Sequence, residues 1–273
     1  MLSKEYRVTL PMSVEEYRVA QLYTVAEASK NETGGGQGVE VLKNEPYDDV
    51  PLLNGKFTRG QYTYKIYHLE EKAPYWIKTI APAGSLEIHE ESWNAYPYCK
   101  TILSNPILSK EDKFYITIET YHLGDRGDQE NVHELDVEQL EKRSVVKIDI
   151  ANDPVDAKDY KQDEDPKIYK SEKSGRGPLS ENWQMSVEPV MTTYKLVTVQ
   201  FKMWGFQTKM ENFIHATQRR LITNFHRQLF CWTDKYHGMN IADIRALEEE
   251  TKHALDRKRA QGEIRGIAAL EKS

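Results

Sequence analysis

Alternate residues of the segment 194–203 fall into an apolar row and a more polar row, as expected of a β-strand. The apolar row, which we predict to face the core, is Lys195, Val197, Val199, Phe201 and Met203. The opposite row, which we predict to be the more solvated, is Tyr194, Leu196, Thr198, Gln200 and Lys202. Burying an unpaired ammonium is costly. Lys195 therefore either has an anionic partner inside the protein or reaches water from the strand end along its own stem.

Three more polar side chains interrupt apolar patterns: Gln21, Thr120 and Glu248. Gln21 lies in a predicted helix that begins with a capping box at Ser13. Thr120 is the last residue of the inward row of a predicted strand. Glu248 lies in the middle of the buried stripe of a helix that Asn240 caps. Each alone could be a boundary position, a satisfied core polar group or a misjudged register. Together with Lys195 they suggest a large internal cavity that holds a polar ligand head at one place and apolar chains elsewhere.

Periodicity predicts strands at residues 5–10, 38–43, 62–68, 85–91, 98–103, 114–122, 145–150 and 194–203, and helices at 14–30, 209–232 and 241–259. The connections are mostly short, which favours an antiparallel sheet and an α+β fold. The apolar stripe of the long helix is Met210, Phe213, Ile214, Thr217, Leu221, Phe225, Leu229 and Trp232, with Arg219, His226 and Arg227 elsewhere. We expect this helix to pack across a curved sheet and the last helix to cover the mouth of the hollow.

Length and composition favour one domain. The chain has 273 residues and no Pro/Gly/Ser-rich linker, so we predict a single domain over residues 1–259, with a surface loop at 44–60 and a polar tail at 260–273. The net charge of −6 argues against a general nucleic-acid binder and against constitutive adhesion to acidic membranes.

Cysteine content and hydropathy predict a cytosolic location. Cys99 and Cys231 are too few for a disulfide framework, and the first ten residues lack the apolar run of a signal peptide. No stretch approaches the roughly 20 apolar residues that a membrane-spanning helix needs.

The chain carries no recognisable catalytic, metal-binding or nucleotide-binding motif. Cys99 has no histidine and acid arranged near it, so a core thiol is the favoured interpretation. His215 and His226 share a helix face but lie three turns apart, too far for one metal ion. We therefore predict a protein that is not an enzyme and needs no metal or cofactor.

Two segments look suited to membrane contact. Met203 and Trp204 precede a glycine and a phenylalanine at the junction between a strand and the long helix, where tryptophan could meet a lipid interface. Tyr75 and Trp76 form a second such pair within residues 72–78. The alternative for the first segment is a turn tucked onto the core.

Several longer motifs are recognisable: residues 29–36, 60–69, 93–99, 174–179 and 211–232. With these motifs the chain closely resembles the single-domain, class I phosphatidylinositol transfer proteins of the alpha/beta type, from about residue 4 to residue 258. The resemblance implies a START-like helix-grip fold that encloses one phosphatidylinositol or phosphatidylcholine as cargo.

The resemblance also implies site residues. The inositol-binding residues would be Thr63, Lys65, Asn94 and Glu248, and the phosphate-binding residues Gln21, Thr101, Thr120 and Lys195. Cys99 matches a thiol near the head group, and Ser171 matches a regulatory phosphosite. Met203 stands where the family has the first of two adjacent tryptophans, which predicts weaker membrane insertion.

The expected function is a cytosolic carrier, monomeric when loaded, that exchanges phosphatidylinositol for phosphatidylcholine between membranes and supports phosphoinositide synthesis and signalling. Its membrane contact would be transient, and it would bind no nucleic acid. Two alternatives stay open: a signalling adaptor that senses lipid without transferring it, and a ligand-binding enzyme, which would need a convergent base and nucleophile in the cavity.

Overall fold

The computed structural model describes residues 1–33, 38–69, 78, 86–109, 113–202 and 204–260. The strands within these ranges are β1 Leu2–Leu10, β2 Gly38–Tyr47, β3 Gly60–His68, β4 Glu87–Ala95, β5 Tyr98–Ser104, β6 Phe114–Leu123, β7 Ser144–Ile148 and β8 Met191–Phe201. They form one sheet in the order β2-β3-β4-β5-β6-β8-β1-β7. Each predicted strand is present, with ends that differ by a few residues.

One strand corrects the prediction of an antiparallel sheet. β7 pairs with β1 in parallel, whereas the other neighbouring strands of the described sheet are antiparallel. The prediction rested on short connections, but residues 124–143 separate β6 from β7. A connection of this length can carry the chain back across the molecule to the far edge of the sheet, so that β7 runs in the same direction as β6 and β1.

The described helices are α1 Val14–Glu32, α2 Val137–Lys142, α3 Gln207–Cys231, α4 Thr233–Tyr236 and α5 Ile241–Ala260. Ser13 caps α1 by accepting a hydrogen bond from the Glu16 amide at 3.1 Å, as predicted. The carboxylate of Glu16 instead binds Arg176. Asn240 caps α5 through the amides of Ala242 and Asp243. Most of the predicted tail, from residue 261 onward, lies outside the described residues.

The long helix α3 covers only one half of the sheet, where it packs against β8 and β1. Val197 and Val199 of β8 and Val8 of β1 are fully buried there, as is Leu229 of α3. Each such side chain contributes about 1.5–3 kcal/mol by leaving water. The inner face of β3 to β6 is left free of this packing, while α5 lies against α1 and β2.

The side chains on the outer face of β8 are buried in the first half of the strand. The sequence pattern had predicted that this face is the more solvated one. Tyr194 is 0% exposed and Leu196 is 3% exposed. The Tyr194 hydroxyl donates to Asp125 Oδ1 at 2.8 Å, and the Arg7 guanidinium lies 5.2 Å from the centre of its ring. The β6–β7 connection thus covers this face, which alternation within one strand could not reveal.

The tract 44–60 is likewise more than a surface loop. Its first four residues continue β2, and Leu52 and Leu53 are buried beside Tyr98. The ring of Phe57 stacks on Tyr98 with centroids 5.6 Å apart. The apolar side chains of Leu52, Leu53 and Phe57 therefore cover part of the outer face of the sheet.

The buried surface of α3 differs from the predicted stripe. His226 is 0% exposed and Arg227 6%, whereas Leu221 is 40% exposed. Arg227 donates to the Ile150 carbonyl at 2.7 Å. Because the residues after β7 pack along a second side of α3, one apolar stripe does not describe its buried surface.

Candidate functional site

A cavity of about 1190 Å³ lies between the free half of the sheet and helices α1, α3 and α5. It exists because α3 fills the space above β8 and β1 only. The inward side chains of β3 to β6 therefore line a hollow, and α1 and α5 close it from the other side.

Cross-strand register places the inward side chains in successive rows. The first row is Gln61, Asn94, Cys99, Thr120 and Lys195, and the second is Thr63, Ser92, Thr101, Ile118 and Val197. The third is Lys65, Glu90, Leu103, Ile116 and Val199, and the fourth contains Tyr67, Ile88, Phe114 and Phe201. The rows change from mostly polar to mostly apolar, which suits an amphiphile with a polar head and apolar chains.

All the predicted head-group residues line this one cavity: Gln21, Thr63, Lys65, Asn94, Cys99, Thr101, Thr120, Lys195 and Glu248. They come from α1, from five strands and from α5. Cys99, Thr120 and Lys195 are direct neighbours on adjacent strands.

Lys195 has neither of the surroundings that its strand pattern suggested. Burial lowers its pKa to about 8, partly offset by the thiol of Cys99, and no carboxylate contributes. Within the described part of the chain, no hydrogen-bond acceptor or ion-pair partner meets its ammonium. Part of its surface faces the cavity. The site therefore presents an unneutralised cation to whatever the cavity encloses.

Further polar atoms in the wall also lack partners. Gln21 Oε1, Thr217 Oγ1 and Thr251 Oγ1 are buried and form no hydrogen bond, and all three residues line the cavity. A buried polar atom without a partner costs about 1–3 kcal/mol. A ligand that supplies complementary polar atoms would relieve that cost.

Cys99 is not arranged as a nucleophile. Burial raises the pKa of its thiol, while hydrogen bonds from Ser92 and Thr101 and the charge of Lys195 act in the opposite direction. Its Sγ lies 3.4 Å from Ser92 Oγ. The thiol is protonated at neutral pH. Cys99 is only partly buried and lines the cavity, so it is a residue of the cavity wall and not the core thiol that the sequence favoured.

Glu90 is a cavity residue that the sequence pattern did not single out. Its Oε1 lies 3.0 Å from Lys65 Nζ, and its Oε2 accepts from the Tyr67 hydroxyl at 2.7 Å. Burial and the Glu90 carboxylate raise the pKa of Tyr67 well above its usual value. The signal that could have revealed Glu90 is its position opposite Lys65, which requires the register of β3 and β4.

Glu248 connects α5 to the edge of the sheet. Its Oε2 accepts from Asn44 Nδ2 of β2 at 3.1 Å and from Arg245 at 2.6 Å. Asn44 Oδ1 in turn accepts from Gln61 Nε2 at 2.7 Å. A side chain predicted to contact a head group is thus also part of the contact that holds the last helix over the cavity.

His226 is a second residue that the pattern missed. Its Nδ1 lies 2.7 Å from the Ile222 carbonyl and must donate, so its Nε2 accepts from Tyr17 at 3.0 Å. Burial, together with the charge of Lys195, lowers the pKa of His226 to about 3 and that of His122 well below its usual value. Both imidazoles are neutral at pH 7 and add no charge beside Lys195.

Comparison with known proteins assigns the chain to a family. A profile described as phosphatidylinositol transfer protein matches residues 1–253. The human phosphatidylinositol transfer protein beta isoform is 52% identical over 277 residues, which cover 99% of each chain. The chain belongs to the phosphatidylinositol transfer protein family.

Other relatives differ in length. Phosphatidylinositol transfer protein 1 of Dictyostelium discoideum is 50% identical over 260 residues, covering 94% of this chain and 96% of that protein. Human membrane-associated phosphatidylinositol transfer protein 2 is 46% identical over 277 residues, covering 99% of this chain but 20% of that protein. Among these relatives, the chain matches the single-domain members of the phosphatidylinositol transfer protein family along almost their whole length.

The segment predicted to contact membranes is partly described. Trp204 is 98% exposed and Phe206 37% exposed, immediately before α3. The turn is therefore not tucked onto the core at Trp204. The other predicted contacts, Met203, Tyr75 and Trp76, lie outside the described residues.

The residue that matches the family phosphosite is buried. Ser171 is 1% exposed, and its hydroxyl donates to Asp234 Oδ1 at 2.5 Å. A kinase could reach it only after this contact opens.

Two other kinds of feature, a metal site and a membrane-spanning helix, are absent from the described residues. Among the described residues, no His, Cys, Asp and Glu side chains are grouped so as to hold a metal ion. Of the helices in the described ranges, none is long and apolar enough to cross a membrane.

Proposed function

We propose that this chain is an intracellular carrier that encloses one phosphatidylinositol or phosphatidylcholine and exchanges it between membranes. The observation that carries the proposal is the graded cavity with an unpaired ammonium at its polar end. A phosphodiester supplies the missing anion, and two acyl chains fill the apolar rows. The names of the relatives support the same cargo class.

In this proposal the phosphate lies beside Lys195, at the meeting point of β5, β6 and β8. Lys195 supplies the charge, and the hydroxyls of Thr101 and Thr120 donate hydrogen bonds. Gln21, whose buried amide oxygen lacks a partner, completes the group from α1 with its amide. In the amide orientation that suits a phosphate, Gln21 Nε2 faces the anion and donates to it.

The inositol ring then lies toward the β2 edge, among Thr63, Lys65, Asn94 and Glu248. Lysine, asparagine and threonine donate to ring oxygens, and Glu248 accepts from ring hydroxyls. Because Glu248 belongs to α5, contact with the head group favours the closed position of that helix. This is the differential affinity that ligand-driven closure requires.

Exchange proceeds by opening of α5 at a bilayer, replacement of the lipid and closure. Trp204 and its neighbour Met203, together with Tyr75 and Trp76, touch the lipid surface during this step. No covalent chemistry, metal or cofactor takes part. The loaded carrier is a cytoplasmic monomer that associates transiently with membranes and supplies phosphoinositide synthesis.

The decisive experiment combines mass spectrometry of lipid extracted from the purified chain with a vesicle-to-vesicle transfer assay. Thr63→Ala and Glu248→Ala should lose phosphatidylinositol transfer by about tenfold or more while phosphatidylcholine transfer continues, because each removes contacts to ring hydroxyls. Thr117→Ala on the outer sheet face and Glu250→Ala on the exposed side of α5 are matched controls.

Three results would contradict parts of the proposal. Equal loss of both lipids would reject the inositol site. Bound lipid without transfer would identify a lipid-sensing adaptor. Lipid recovered chemically altered after incubation would identify an enzyme.

A further inference from the structure

The cavity contains an ion pair that the phosphate site does not use. Lys65 and Glu90 face each other on β3 and β4, with side chains 16% and 14% exposed and an N–O distance of 3.0 Å. Tyr67 holds the second carboxylate oxygen of Glu90 at 2.7 Å. The pair lies in the third row, one row beyond Thr101, with Glu90 one strand away from Thr101 and Lys65 two strands away.

Counting only the residues that the structure describes, the charges at the polar end sum to one positive charge before loading. Lys195 is unpaired, Lys65 is neutralised by Glu90, and Arg245 is neutralised by Glu248. An anionic phosphodiester with a polyol head group balances that charge. A zwitterionic phospholipid does not balance the charge of the polar end. Its quaternary ammonium adds a positive charge to the cavity and needs an anion nearby.

Glu90 is better placed to be that anion than Glu248. Glu248 moves with α5, and one of its oxygens already accepts from both Asn44 and Arg245. Glu90 is fixed on a central strand and is oriented by Tyr67. A quaternary ammonium has no N–H to donate, so it can lie against the carboxylate while the hydrogen bond from Tyr67 persists.

We propose that Glu90 is a quaternary-ammonium subsite and that the Lys65–Glu90 pair acts as a charge selector between two cargo classes. With a polyol head group the pair stays closed and Lys65 donates to ring hydroxyls. With a choline head group the flexible lysine leaves the pair and turns its ammonium to the water at the open side of the cavity, and the ligand cation takes its place against Glu90. The inference rests on the proposed function and deepens it, because it names the group that accommodates the second cargo.

The test is a set of charge variants equilibrated with vesicles that contain phosphatidylinositol and phosphatidylcholine in several known ratios. After the protein is separated from the vesicles, bound lipid is quantified by mass spectrometry. Glu90→Gln should lower the bound choline-to-inositol ratio by about fivefold or more, since Lys65 is then an unpaired cation beside the head group. Lys65→Met should raise the ratio and also raise uptake from vesicles that carry phosphatidylcholine alone.

The double variant and a matched control separate a selector from simple loss of contacts. Lys65→Met combined with Glu90→Gln should lose the gain in phosphatidylcholine uptake, because that gain depends on the unpaired carboxylate. Glu91→Gln removes the adjacent carboxylate, which faces outward and binds Tyr62, and should leave the ratio unchanged.

The outcomes distinguish this inference from the proposed function. A wild-type chain that takes up neither lipid overturns the proposed function. A wild-type chain that loads both, combined with an unchanged or raised ratio in Glu90→Gln, overturns the selector alone. If Glu90→Gln does not fold, as judged by circular dichroism, Glu90→Asp keeps the charge and should retain phosphatidylcholine uptake. Failure of Lys65→Met to raise that uptake likewise rejects the inference.

Discussion

Lys195 presents its ammonium to the cavity, and within the described ranges no carboxylate neutralises it. The two nearby histidines are neutral because of burial and because of this same charge. Positive charge at the phosphate end therefore depends on one side chain. The empty protein bears the cost of desolvating that charge, and an anionic ligand removes it.

The pH dependence of stability tests this account of Lys195. Its pKa is about 8 in the lipid-free fold and 10.5 in the unfolded chain, so between these pH values the unfolded chain binds more protons. The free energy of unfolding should therefore rise as pH increases through this window, by about 3 kcal/mol from this group. Lys195→Met should be more stable than the wild type at pH 7, and the difference should shrink toward pH 10.5.

The measurement is denaturant unfolding of both lipid-free proteins at a series of pH values. Taking the difference between the two proteins cancels the titration of the tyrosines. Both proteins carry Cys99→Ser, because the charge of Lys195 acts on the thiol and its titration would not cancel. The account of an unpaired buried ammonium is wrong if the difference does not change with pH. With phosphatidylinositol bound, the phosphate should raise the pKa of Lys195 back to its usual value. The change in unfolding free energy between pH 8 and 10.5 should then disappear.

At the scale of elements, the placement of α3 creates the cavity. The helix buries its side chains against β8 and β1 and leaves the inner faces of β3 to β6 open. The turn before α3 projects an indole that is 98% exposed. An exposed tryptophan gains free energy at a lipid interface, where its ring leaves water and its N–H stays near polar groups. This turn therefore joins the exposed indole directly to the helix that forms one cavity wall.

Trp204→Ala should weaken binding to vesicles by about fivefold or more, because burial of a large aromatic side chain at the interface is lost. Lipid recovered from the purified protein should be unchanged, since Trp204 does not line the cavity. Vesicle co-sedimentation and lipid extraction measure the two quantities. Met185→Ala removes another exposed apolar side chain, 74% exposed, and serves as the control. Equal vesicle binding by Trp204→Ala and wild type would reject the contact.

At the scale of the whole molecule, the cargo completes the core. The chain folds around a cavity of about 1190 Å³ whose walls include unpaired polar atoms at one end and apolar side chains at the other. A protein interior is normally close-packed. We therefore expect a bound lipid to supply packing and hydrogen bonds that the polypeptide alone does not provide.

Removal of the lipid should lower the thermal midpoint. A ligand present at a hundredfold excess over its Kd stabilises the native state by about 2.7 kcal/mol, which corresponds to roughly 5–10 °C for a chain of this size. Scanning calorimetry of the lipid-loaded, delipidated and reloaded chain measures the effect. Equal midpoints for the loaded and delipidated forms would show that the lipid does not complete the core.

Much of the fold could be predicted from local patterns. Each predicted strand and helix has its counterpart, and the inward positions of Gln21, Thr120, Lys195 and Glu248 are confirmed by the cavity wall. Their roles as ligand contacts remain predictions. The parallel pairing of β7 was missed because it depends on a long connection, which leaves no periodic signal within the strand itself.

The sequence by itself determined which side chains share a face of each strand or helix, because backbone geometry imposes periods of 2 and 3.6 residues. Only the tertiary structure decided which faces meet. The pairing of Lys65 with Glu90, the hydrogen bond between Tyr17 and His226, and the covering of Tyr194 all join residues that are far apart in the chain. Such contacts depend on strand register and on packing summed over the whole molecule. The tertiary structure likewise decided that Lys195 is unpaired, because the partners of a side chain are known only when all its neighbours are in place.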